Sequence, residues 1–241
     1  MRRTWMIKAA LAALAALVAV CVGSLALPAF AQQPTAAERV ASLKATLVGS
    51  QVVLRQYEWI ETTVVSLKGE EKSRKQEQCY YGADGKLQKV LLTQPAPEST
   101  KRGLRGLIAE SKKEELTDYM KEAVSLVRQY IPPDPARIQA AKDAGKVALQ
   151  LMEPGKRVRL TFMDYLKSGD SLSLDVDLTN NHPLSANVNS YLDSDKEPVT
   201  LAITFSTLND GSTYVSRSVL DAKGKQLNVT VENSGYRKMT Q

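Results

Sequence analysis

Ser171-Leu172-Ser173-Leu174-Asp175-Val176-Asp177-Leu178 decides the fold. Four aliphatic residues alternate with two serines and two aspartates. Successive side chains of an extended chain point to opposite sides, so the four aliphatics share one face of a strand. The same period of two recurs in Val158, Leu160 and Phe162, in Val199, Leu201, Ile203 and Phe205, and in Leu227, Val229 and Val231. Gly, Asp, Asn and Pro separate these runs, which places an antiparallel sheet over Lys156 to Gln241. A sheet that is apolar on one side needs a second layer or a ligand against that side.

Upstream of this sheet the period changes. Leu116, Met120, Val124, Val127 and Ile131 form a helical stripe from Ser111 onward, with Glu114 as capping-box partner of Ser111. The opposite face carries both signs of charge, which argues for packing on the sheet over membrane binding. Pro132 and Pro133 stop the helix, and Asp134 with Pro135 starts a second one that runs to Gly145. Lys101, Arg102 and Arg105, with Gly103 and Gly106, read as a basic loop, solvated or facing an anionic headgroup. Further back, Tyr57, Trp59, Val64, Val65 and Leu67 mark a strand, Arg74 to Tyr81 its polar partner, and Asp84-Gly85 a hairpin into Leu87 to Leu92. A helix from Ala36, capped by Thr35 and Glu38, carries Val40, Leu43, Leu47 and Leu54 at helical spacing, with Gly49 as its weak point.

Arg2, Arg3 and Lys8 precede an apolar run from Ala9 to Leu27, and Ala29-Phe30-Ala31 offers small residues for signal peptidase. Cleavage is therefore expected after Ala31, with an uncleaved membrane anchor as the alternative. Removal of three positive charges lowers the formal balance from +6 to +3. So small an excess on an exported chain argues against nucleic acid as a partner. Cys79 is then the single cysteine, and no internal disulfide can form. It reads as a buried structural thiol, with an intermolecular bridge or a reactive site as the alternatives.

Little in the residues points to catalysis. His182 is the only histidine, in a turn before Pro183, and Asp177 and Ser185 are nominally available beside it. Both read as ordinary turn and strand residues rather than members of a triad. One histidine and a distant cysteine give no metal-ligand spacing, and no glycine-rich phosphate loop is present, so neither a metal nor a cofactor is expected. Asp175 and Asp177 share the outward strand face and read as solvated acids, not as an opposed glycosidase pair. The tyrosines are spread singly, which argues against a stacking platform.

The expected fold class is α+β: a curved, mostly antiparallel sheet, a half-open barrel wrapped around or covered by two to three helices. Residues 1–31 form the signal peptide and 32–241 a single domain, with a helical insertion at about 111–144. Helices seated in the concavity of such a sheet leave a lipophilic space between the layers. Its expected lining is Leu160, Phe162, Leu174, Val176, Leu201, Ile203 and Phe205 from the sheet, with Leu116, Met120 and Val127 from the helix.

The order of elements resembles the periplasmic lipoprotein-carrier and sigma-regulator superfamily. The similarity lies in the signal peptide ending at Ala31, the helix Ala36 to Arg55, the strand opening Tyr57-Glu58-Trp59-Ile60, the insertion Ser111 to Ala144 and the strands from Lys156. The resemblance implies a non-enzymatic carrier or sensor, periplasmic or secreted, that shelters acyl chains. Carriers of this kind use an arginine to hold their helices closed, and no arginine here matches it by motif. Two readings stand: binding or transport of a lipid-like or acylated ligand in the cell envelope, or a protein-interaction or regulatory domain whose sheet is covered by its own helices. An unusual hydrolase is a third. The partners expected are a lipid-like ligand or an envelope protein, with no nucleic acid and no membrane span after cleavage.

Overall fold

Alternation along the strands builds a ten-stranded antiparallel sheet, curved and unclosed, with three α-helices among the described residues. The computed structural model describes residues 36–93 and 104–239. The signal peptide, its cleavage point, the Thr35 cap, and Lys101 and Arg102 of the basic loop lie outside the described residues.

Helix α1 (Ala36–Leu54) runs unbroken through Gly49 and leads into β1 (Tyr57–Leu67), β2 (Glu70–Tyr81) and β3 (Leu87–Leu91). Helices α2 (Leu104–Val127) and α3 (Pro135–Asp143) follow. The chain then lays down β4 (Val147–Glu153), β5 (Arg157–Met163), β6 (Ser171–Asp177), β7 (His182–Tyr191), β8 (Pro198–Thr207), β9 (Thr213–Ala222) and β10 (Leu227–Lys238). In space the order is β3-β2-β1-β10-β9-β8-β7-β6-β5-β4. The chain thus begins mid-sheet, reaches one edge at β3, crosses by α2 and α3 to the other edge at β4, and meanders back until β10 pairs with β1. The β1–β2 hairpin is a two-residue turn in which Lys68 and Gly69 both have positive φ, the geometry whose twist matches that of the strands.

Rows of paired residues follow the inner face, the one the helices cover, across the sheet. One row runs Phe162, Leu172, Val188, Leu201, Leu220, Val229, Val65 and Ser73. The next runs Leu160, Leu174, Ala186, Ile203, Ser218, Val231, Thr63 and Lys75. Both are aliphatic through β5 to β8 and become polar toward β2. The helices fill the aliphatic side. Tyr119, Ala123, Leu126 and Val127, at the spacing of one helix face, bury with Tyr130, Ile138 and Ala141 against Leu160, Phe162, Leu172 and Val188. Fully burying a side chain such as Phe162 contributes about 1.5–3 kcal/mol.

A buried hydrogen-bonded cluster and a close contact fix this packing. Tyr130, fully buried, donates its hydroxyl to Asp170 Oδ2 at 2.5 Å and lies 2.8 Å from Ser190 Oγ. Asp170 also accepts from the backbone N–H groups of Leu166 and Lys167. Burial, followed by the Asp170 bond, pushes the Tyr130 hydroxyl far above the ordinary tyrosine range, so it remains a donor. Farther along α2, Tyr119 lies over the β9–β10 connection. A Cβ on Gly224 would come within 2.7 Å of the Tyr119 hydroxyl oxygen, so only glycine fits there without displacement.

Several expectations are corrected. Helix α2 begins at Leu104 rather than Ser111, because Leu104, Leu107 and Ile108 already hold helical spacing and Gly106 is tolerated within it. It ends at Val127, and Tyr130 sits in the turn beyond rather than Ile131 closing the helix. His182 is not a turn residue: it opens β7 opposite Asp177, and Pro183 is accommodated at a register shift. The segment Tyr236 to Met239, expected to add a few edge residues, lies mid-sheet, since β10 continues to Lys238 opposite Tyr57. Asp175 is not a solvated acid. It is 6% exposed, held in a two-pronged pair by Arg159 at 2.6 and 2.8 Å, and accepts from Ser185 Oγ at 3.0 Å. Burial alone would raise its carboxyl; the Arg159 and Ser185 bonds, with the Arg159 and Arg157 charges, overcome this and hold it below the ordinary value.

Candidate functional site: a cavity beneath the first helix

The apolar stripe of α1 faces the sheet without touching all of it. Leu43 packs on Val158 and Val176, while Leu47 and Leu54 look onto open space over β6 to β10, β1 and β2. That space is a cavity of about 440 Å³. Its floor includes Leu174, Ala186, Ile203, Phe205 and Val215, and Ile131-Pro132-Pro133, after α2, closes one side. The Pro132-Pro133 wall is held by the residues flanking it. Tyr130 is pinned as described and stacks on Tyr165 at 5.5 Å, whose hydroxyl accepts from the Asp134 N–H at 2.7 Å.

Among the described residues, few polar contacts hold α1 over the cavity. The Thr213 N–H donates to Ser50 Oγ at 2.9 Å, and Asn181 Nδ2 donates to Ser42 Oγ. Val48, at the cavity rim, and Val52 are exposed, at 53% and 60%.

Toward β1 and β10 the cavity ends in aromatic rings. Trp59 stacks on Tyr236 at 5.4 Å with planes 10° apart, Tyr214 lies 4.4 Å from Tyr236, and Tyr81 lies 6.0 Å from Trp59. The Arg55 guanidinium sits over Tyr81 at 5.8 Å. Burial, then the neighbouring Tyr214, raises the Tyr236 hydroxyl far above its ordinary value, so it stays neutral. Behind the rings Cys79 is fully buried opposite Trp59, and burial, then the Glu61 charge, pushes its thiol up. A protonated, inaccessible thiol matches the structural reading of this cysteine.

The polar groups that reach the cavity are mostly engaged by the protein. Asn233 accepts from Trp59 Nε1 at 3.1 Å and donates to the Val215 carbonyl at 3.0 Å. Glu61 is paired with Lys89 at 2.5 Å, and Thr213 Oγ1 lies 3.4 Å from His182 Nδ1. Ser185, the nominal nucleophile beside His182, is bonded to Asp175 instead. Among the described residues no group of three or more His, Cys, Asp or Glu is placed to hold a metal. No described helix is long and apolar enough to cross a membrane.

Of the residues marked from the sequence, Leu174, Ile203 and Phe205 line this cavity. Leu160, Phe162 and Val127 lie in the core beneath α2 and α3, with Leu201 and Met120 packed at its margin. Val176 packs with Leu43, and Leu116 is half-buried on α2, outside the cavity lining. Sequence reasoning missed the aromatic end. Its signal was the i, i+2 pair Tyr57 and Trp59 on one strand, with Tyr236 in the segment taken for a tail.

No family model matches the chain, and no curated protein matches it. Among solved structures it is similar to a LolA superfamily protein from Nitrosomonas europaea, at 12% identity over 83% of this chain and 94% of that one, with a TM-score of 0.32. It is similar to a DUF1329 family protein from Desulfovibrio piger, at 10% identity over 81% and 92%, TM-score 0.30. A Pseudomonas aeruginosa MucA/MucB complex gives 10% identity over 84% of this chain and 99% of that one, TM-score 0.24. The functional reading below rests on the cavity alone.

Proposed function

We propose that this chain is an exported, non-enzymatic protein of the cell envelope, a single domain from residue 32 onward, that binds or carries a lipid-like hydrophobic ligand. The cavity beneath α1 supports this reading. At about 440 Å³ it falls in the range of ligand sites, and aliphatic and aromatic side chains supply most of its wall. A folded chain gains by closing apolar space, so apolar space left open beside a helix held by few contacts suits a guest. The test is to purify the protein from the cell envelope without detergent stripping and identify extracted lipids by mass spectrometry. The expected result is a bound hydrophobic species in the wild type and none in Leu47→Asp, whose circular dichroism and melting temperature stay unchanged. Bare wild-type protein would end this reading.

A protein-interaction or regulatory domain is the second reading, and the sheet edges favour it. Edge strand β4 exposes Leu149, Leu151 and Met152, and edge strand β3 exposes Leu87, Val90 and Leu91. Unpaired apolar edges are templates for another chain. Loss of a co-purifying envelope protein in Leu151→Lys, with lipid content intact, would place the function at the edge.

A further inference from the structure

Resting on the reading of the cavity as a ligand site, we infer that it takes one alkyl chain of roughly 12–15 carbons bearing an anionic headgroup, with the headgroup at Lys44. Volume sets the chain. At the ~30 Å³ that a water-sized group occupies in a liquid, the 440 Å³ cavity holds roughly 15 such groups. Length sets the number of chains. The roof runs from Leu43 to Leu54, about 16 Å at the helical rise. Volume over length gives a cross-section of roughly 27 Å², and carbons in contact lie about 4 Å apart, so two chains side by side would need more than about 32 Å².

The sign of the headgroup follows from which polar groups are already engaged. Glu61 is neutralised by Lys89, and Asn233 is bonded at both ends of its amide. Lys44 is the charge in the lining that has no ion-pair or hydrogen-bond partner among the described residues, and it stands at the exposed rim. A chain laid along α1 with its charged end at the rim leaves its tail toward the rings of Trp59 and Tyr236, where no unpaired charge has to be desolvated.

Calorimetric titration of the purified chain tests this with saturated carboxylic acids of about 8 to 20 carbons, the matching primary alcohols, and a two-chain phosphatidylglycerol. Affinity is expected to rise about fourfold per methylene and level off near 15 carbons. Each alcohol is expected to bind two- to fivefold more weakly than its acid, as suits an exposed ion pair. Lys44→Ala should abolish the difference between acid and alcohol and keep the dependence on length. A rise that continues to 20 carbons, or tighter binding of the two-chain lipid, overturns the single-chain assignment. Equal binding of acid and alcohol, or a difference that survives Lys44→Ala, overturns the headgroup assignment. If no chain of any length binds, the reading of the cavity as a ligand site falls, and this inference with it.

Discussion

The two halves of the inner face share a sheet and differ in what covers them. Beneath α2 and α3 the packing is close, and Leu160, Phe162, Leu172, Val188 and Val199 lose nearly all contact with water, with Leu220 and Leu227 buried beside them. Beneath α1 the sheet is touched near Leu43 and Ser50, and space is left over Leu174, Ala186, Ile203, Phe205 and Val215. The difference lies in what each cover brings: α2, α3 and the turn between them bury Tyr119, Ala123, Leu126, Val127, Tyr130, Ile138 and Ala141, whereas α1 buries Leu43 and Ser50 among its described side chains. One fold therefore holds a packed half that supplies rigidity and an open half that can accept something else.

Substitutions that treat the halves alike should have unlike results. Phe162→Ala, in the packed half, should lower unfolding free energy by about 3–5 kcal/mol in urea titration, whereas Phe205→Ala, which borders space already open, should lower it by about 1 kcal/mol. Equal losses would erase the distinction. Tyr130→Phe keeps the ring and removes the bonds to Asp170 and Ser190, and should cost about 1–3 kcal/mol. It should also loosen the Pro132-Pro133 wall, visible as faster amide exchange around Asp134.

On the outer face of the packed half, Asp175→Asn should cost about 1 kcal/mol at neutral pH, since Arg159 remains partly in water. The Asp175 carboxyl lies below its ordinary value in the folded chain. Its contribution is therefore present above the unfolded carboxyl pKa of about 3.9 and is lost as pH falls through the lower folded value. The gap between wild type and Asp175→Asn should close over that acid window, and a gap that widened on acidification would contradict the pair. Ser50→Ala should have the smallest effect, about 0.5 kcal/mol, because water in the cavity can replace the Ser50 oxygen on the Thr213 N–H. Amide exchange in α1 should nonetheless quicken while that of β5 to β8 stays unchanged.

Strand existence was legible where one side of a strand is buried, because a slip by one residue would turn every aliphatic outward. Hence Leu172 to Val176 and Val199 to Phe205 read correctly from their alternation alone. The position of the open space was not legible. Leu160 and Leu174 have the same pattern and pair with each other, yet one lies under the helix pair and the other reaches the cavity. That depends on where α1 and α2 lie across the strands, a long-range fact that periodicity does not contain. Asp175 misled for a related reason: alternation assigned it to the outer face, but the partner that shelters it, Arg159, comes from the neighbouring strand. The aromatic end likewise draws on four strands and becomes visible only once β10 is set beside β1.

That seam between β1 and β10 has a consequence for how the molecule is made. Its register joins Tyr57 to Lys238 and closes with the Met239 N–H on the Gln56 carbonyl, contacts nearly as far apart along the chain as any in the described residues. As the chain emerges, the β1–β2 hairpin has no neighbour on its inner edge and must wait for β10. Loop closure over so long a separation is slow, and an unpaired edge is vulnerable to aggregation meanwhile. Deleting Tyr236 to Lys238 from β10 should therefore damage the yield of folded chains out of proportion to the contacts removed.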